Sequence, residues 1–154
     1  MRVAILVLLV GLLVGCGGAP DISSQLSVNN AWIRELPPVS KITAVYMTIE
    51  NSGHQSIQLV GAHCDIAGAT EIHTMEHKDG FMKMRKLDQI IVPAGGKVDL
   101  EPGGTHLMLL NLKHAPKAGD EVEVILHFEK GVTKPVLAKV VKQAPDANHS
   151  DMNP

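Results

Sequence analysis

The sequence predicts a single all-β domain, an antiparallel sandwich or barrel, and three observations lead there. Its 154 residues suffice for one sizeable core and are too few for two. Stretches of roughly five to nine residues that alternate or run apolar follow one another at short intervals. Clusters rich in Gly, Pro and Asn separate them, and no window keeps a 3.6-residue apolar period over three turns.

The elements follow in chain order. LSVNNAWIR opens the domain and ends before the turn signal Pro37-Pro38. TAVYMTIEN comes next, closed by Asn51-Ser52-Gly53, and then SIQLVGAHC. EIHTMEHK and FMKM flank Asp79-Gly80, a dipeptide that favours a two-residue hairpin turn. Pro93-Ala94-Gly95-Gly96 leads into KVDLEP, and Pro102-Gly103-Gly104 into THLMLLNL. Gly119-Asp120 precedes EVEVILHFEK, and PVLAKVVK closes the series. No internal repeat is visible.

The ends read differently. Residues 1–15 have a basic start at Arg2, an apolar run too short to span a bilayer, and small residues before Cys16, the pattern of a signal peptide. Leu13-Val14-Gly15-Cys16 resembles a bacterial lipobox, so Cys16 is the expected lipidation site and the protein an extracytoplasmic, membrane-anchored bacterial lipoprotein, in the periplasm or at the cell surface. Residues 16–25 would then be lipidated cysteine and tether, 26–142 the folded domain, and 143–154 a flexible tail. The formal charge of −2 carries no basic patch, which argues against nucleic acid as a partner. Cys64 is left as a lone thiol with no internal partner, and reads as a small buried hydrophobe.

The chemistry concentrates in EIHTMEHKDGFMKM, where His73, Met75, His77, Met82 and Met84 crowd together. A turn at Asp79-Gly80 pairs Lys78 with Phe81, His77 with Met82, Met75 with Met84 and His73 with Lys86. Side chains alternate across a strand, so the five donors share one face, with His73 and Met84 as diagonal neighbours. In THLMLLNL, His106 and Met108 point one way while Leu107 and Leu109 point the other. Two such pieces brought together make a His₂Met₂ site. Thioether sulfur is a soft neutral donor that suits neither Mg²⁺ nor Ca²⁺, and Zn²⁺ usually takes Cys, His or carboxylate. The set favours Cu(I).

His73, ten residues, Met84, twenty-one residues, then His106-Leu107-Met108 fits the H-x10-M-x21-H-x-M pattern of the periplasmic Cu(A) chaperones, the PCu(A)C family. AWIRELPP, TAVYMTIEN, MKMRKL, VPAGGKVDLEPGGTHLMLLNLK and GDEVEVILHFEKG also resemble family stretches, so the likeness runs from about Leu26 to Lys142. It implies a cupredoxin-like antiparallel β-sandwich of Greek-key type holding one Cu(I) through His73, Met84, His106 and Met108. It implies a carrier that is not an enzyme. The expected recipients are the Cu(A) centre of cytochrome c oxidase and a Sco-type thiol protein. Met75 and His77 are candidate auxiliary donors beside the site, and His149 and Met152 in the tail could form a second, auxiliary copper-binding arm.

Copper storage or resistance shares the same ligands and is the alternative. An electron-transfer cupredoxin would need a His₂Cys site with a weak axial Met, usually drawn from one late loop; Cys64 lies before His73, and the late strands contain no cysteine. A lipoprotein without a metal role leaves the donor cluster unexplained. No nucleophile is paired with a recognisable general base, which speaks against an enzyme.

Overall fold

The structure is a computed structural model and describes residues 22–78 and 80–145. The described residues form ten strands: β1 (Leu26–Arg34), β2 (Ile42–Asn51), β3 (Ile57–His63), β4 (Ala69–Lys78), β5 (Phe81–Leu87), β6 (Ile90–Val92), β7 (Gly96–Leu100), β8 (His106–Leu110), β9 (Glu121–Phe128) and β10 (Thr133–Val141). No α-helix occurs among the described residues, only two short 3₁₀ turns. The fold is the all-β sandwich the sequence called for.

Strand order is β5-β4-β8-β2-β1-β10-β9-β3-β6, with β7 paired to β2 off this path. β2 is shared lengthwise: Ile42–Val45 pair with β8, and Met47–Asn51 pair with β7. The far end of the ladder returns, so that β6 lies against β2 and β7, and β3 lies near β4. The inner faces thereby enclose one core, to which β2 gives Val45, Met47 and Ile49, β8 gives Leu107 and Leu109, and β9 gives Val124 and Leu126. Burial alternates along β2 and β9, as a sheet with one dry and one wet face requires.

One pairing departs from an all-antiparallel sandwich: β1 and β10 run parallel through Trp32–Arg34 and Lys139–Val141. Before that contact β1 carries a bulge between Asn29 and Trp32, where Asn30 takes a positive φ of 53°, a conformation Asn tolerates better than most residues. Ile22–Gln25, expected within the tether, form a 3₁₀ turn instead. Ile22 packs on the core, and the Gln25 carbonyl accepts the Ser52 N–H at 2.9 Å. Ala144 and Pro145, expected in the tail, line a cleft with Trp32 and Leu100. The signal peptide, Cys16, His149 and Met152 lie outside the described residues.

Candidate metal centre

The site is built where β4, β5 and β8 meet. The β4–β5 register pairs Lys78 with Phe81, His77 with Met82, Met75 with Met84 and His73 with Lys86, so two residues make the turn. Gly80 supplies a φ of +80° there, which a side chain would oppose. On its other edge β4 pairs with β8, placing His73 opposite His106 and Glu71 opposite Met108. The turn at Pro102-Gly103-Gly104 ends where β8 begins, so His106 sits at the strand's rim end.

Alternation then separates two tasks within β8. Leu107 and Leu109 are fully buried in the core. His106 and Met108 project to the other side, where they line a cleft of about 320 Å³ with Met75, Met84, Tyr46 and Ile42. Met84 remains 47 % exposed, so one wall of the cleft is open to solvent. His73 is not part of that lining. Its ring stacks on that of His106 with centroids 6.2 Å apart, and Tyr46 and Trp32 extend the file on the other side. Three of the four expected ligands therefore share the cleft, and the fourth touches it through the neighbouring imidazole. Met75, an expected auxiliary donor, is in the lining; His77 lies two cross-strand rungs further out, exposed and opposite Met82.

Hydrogen bonds fix the state of both rings. Nδ1 of His106 lies 3.1 Å from the Gly104 carbonyl oxygen. A carbonyl can only accept, so this nitrogen carries the proton and Nε2 keeps its lone pair. The same carbonyl accepts the Met75 N–H at 3.3 Å, tying the hairpin to the rim. His73 is held the opposite way: Nε2 lies 2.9 Å from Oε2 of Glu71, so the lone pair falls on Nδ1. That Nδ1 is buried and has no hydrogen-bond partner. An unsatisfied buried acceptor costs roughly 1–3 kcal/mol, a deficit that a bound cation would remove.

Glu71 is in turn held by Lys86, whose Nζ lies 2.8 Å from Oε1. The hydrogen bonds from Lys86 and then His73 keep its carboxyl below the usual carboxylate range. Glu71 and Lys86 were not singled out from the sequence. Their signal was present, since Glu71 is two residues before His73 on one face and Lys86 is its cross-strand partner.

The donor set discriminates between metals. Among the described residues no three His, Cys, Asp or Glu side chains converge to hold an ion. Cys64 is buried and does not line the cleft, and burial pushes its thiol above the ordinary value. Two imidazoles with thioethers are what remains, and such a set fits a soft monovalent ion better than Zn²⁺ or Ca²⁺.

The fold is a β-sandwich of PCu(A)C architecture. The match to the LpqE-like lipoprotein family model covers residues 26–140, and the chain belongs to that family, of the PCu(A)C type. A lipoprotein of Leifsonia xyli subsp. xyli is 33% identical over 116 residues, which is 75% of this chain and 69% of that protein. A protein of Rickettsia prowazekii is 36% identical over 104 residues, 67% of this chain and 58% of its own length. Among solved structures, the apo PCuAC domain of PmoF1 superposes with a TM-score of 0.65 at 26% identity, covering 79% of this chain and 95% of that one. DR1885 of Deinococcus radiodurans matches in its apo form with a TM-score of 0.61 at 31% identity, covering 93% and 95% of the two chains. Its Cu(I) form gives 0.62 at 32%, covering 84% and 83%.

Proposed function

We propose that the protein is an extracytoplasmic Cu(I) metallochaperone that binds one ion through His73, Met84, His106 and Met108 and gives it up by ligand exchange. The observation that carries this reading is an open-rimmed cleft lined by His106, Met84 and Met108, with the His73 ring stacked on that of His106. The Cu(I) form of the similar DR1885 supports the choice of ion. An incoming thiolate or thioether would displace exposed Met84 first, while the two histidines, set deeper and hydrogen-bonded, leave last. Met75 would serve as a reserve donor in the cleft. His77 and Met82 would be an outer pair beside it.

The recipient in this proposal is the Cu(A) centre of cytochrome c oxidase, reached directly or through a Sco-type thiol protein. The lipid anchor at Cys16 would confine the carrier to the membrane of its target and raise its effective concentration there. His149 and Met152 would add an auxiliary arm. Storage uses the same ligands, but an open site with neutral donors suits exchange better than retention.

The test is an anaerobic Cu(I) titration of the detergent-solubilised protein against a chromophoric chelator, followed by mixing the loaded protein with an apo Cu(A) domain. One tight equivalent that moves to the acceptor and develops its Cu(A) spectrum supports delivery. Copper that binds but stays on the carrier supports storage, and no competition with the chelator removes the metal reading.

A further inference from the structure

The two histidines of the site are held by unlike groups, and the difference has a consequence for the metal. We infer that Glu71 is a positioning residue that fixes the ring of His73 so that it meets copper through Nδ1, whereas His106 meets it through Nε2. This rests on the copper reading above and adds to it which nitrogen binds and what decides it.

The geometry is specific. Oε2 of Glu71 takes the Nε2 proton of His73 at 2.9 Å, while Oε1 is engaged by Lys86 at 2.8 Å, so both carboxylate oxygens are committed. The side chains of His73 and Glu71 are only 14% and 27% exposed, which limits competition from water. Lys86 lies directly across from His73 on β5, the strand that also carries Met84. One hairpin thus supplies a thioether and, through Lys86 and Glu71, the orientation of an imidazole. On the remaining side of the ring, Nδ1 is buried with no partner, so the available lone pair is already sequestered from solvent. His106 has the reverse arrangement, with Nδ1–H spent on the Gly104 carbonyl at 3.1 Å. Nδ1 is attached one bond from the ring carbon that bears Cβ, whereas Nε2 is at the far side of the ring. Ligation through Nδ1 therefore keeps the ion near the β4 backbone, and ligation through Nε2 lets His106 reach toward it. Outer groups that orient a metal-bound histidine also raise its basicity, and their loss typically weakens metal binding by about 10–100-fold.

The experiment is a long-range ¹H–¹⁵N spectrum of the histidine rings in the ¹⁵N-labelled full chain in detergent, apo and with one equivalent of ¹⁰⁹Ag(I) as the Cu(I) mimic. His73 is expected in the Nε2–H tautomer before loading, with silver coupling appearing at Nδ1 of His73 and at Nε2 of His106. Silver coupling at Nε2 of His73 overturns this proposal and leaves the copper reading intact. No change at either ring overturns both. Glu71→Gln is expected to weaken Cu(I) binding at least tenfold and to give mixed tautomers at His73, with His106 unmoved. Unchanged affinity with an unchanged His73 tautomer in that variant overturns the positioning role.

Discussion

Met84 and His106 stand at opposite extremes of burial, 47% and 6% exposed, and their substitutions separate exchange from retention. Met84→Leu keeps the volume and removes the sulfur, so it should weaken Cu(I) binding by about tenfold, or about 1.4 kcal/mol, without moving Tm. His106→Ala should weaken binding at least as much and also lower Tm, because it empties a buried position beside Tyr46; chelator competition and thermal melts check both. Cys64 is pushed up by burial and stays a thiol at neutral pH, so it should resist alkylation until the chain unfolds. Mass spectrometry with and without denaturant would show this, and rapid native labelling would contradict it. At this scale the four expected ligands could be named from spacing and softness, and the structure sets Met84, His106 and Met108 around one cleft with His73 stacked on His106. The placement of Glu71 and Lys86 beside His73 was readable as well, but their role was not, because it depends on which side-chain atoms engage one another, and that is a matter of rotamers.

The β4–β5 hairpin brings the spaced donors onto one face. Every side chain from Phe81 to Lys86 is exposed, so β5 adds little to the core, and its register is set by the turn and by pairs such as Arg85 with Glu76. Inserting one alanine after Gly80 should flip the parity of one strand relative to the other and abolish tight Cu(I) binding, while the melting temperature changes little. A copper-competent insertion variant would show that the parity does not matter. Elsewhere, Thr48 and Asp99 pair across β2 and β7 with a 2.7 Å hydrogen bond. That bond, ahead of Lys97, holds the Asp99 carboxyl below its ordinary value. A depressed carboxyl contributes stability above the unfolded value and loses it as pH falls through the folded one. Thr48→Val should therefore destabilise the protein in urea at pH 7, and the difference from the parent should shrink as pH falls below the ordinary carboxylate range. The alternating strands were legible from their apolar period. β6 has three residues, too few to show a period, and the parallel β1–β10 contact depends on a partner about a hundred residues away, which no local pattern specifies.

For the whole molecule, core and site are two faces of the same strand. Leu107 and Leu109 anchor β8 in the interior, and His106 and Met108 use the anchored backbone as a platform. Leu109→Ala should cost about 2–5 kcal/mol in urea unfolding and loosen copper affinity indirectly, whereas ligand substitutions should leave unfolding of the apo protein nearly unchanged, His106 excepted. Sandwich class was readable from composition and turn spacing; the way β2 divides between β8 and β7 was not, since it follows from how the sheet folds over. The file of rings from Trp32 through Tyr46 and His106 to His73 has a use beyond packing. The chain holds one tryptophan, and it stands at the inner end of that file. Arrival of a heavy, polarisable ion at the outer end should dim its fluorescence, so copper could be timed in and out of the unlabelled protein by stopped flow, with Trp32→Phe as the dark control.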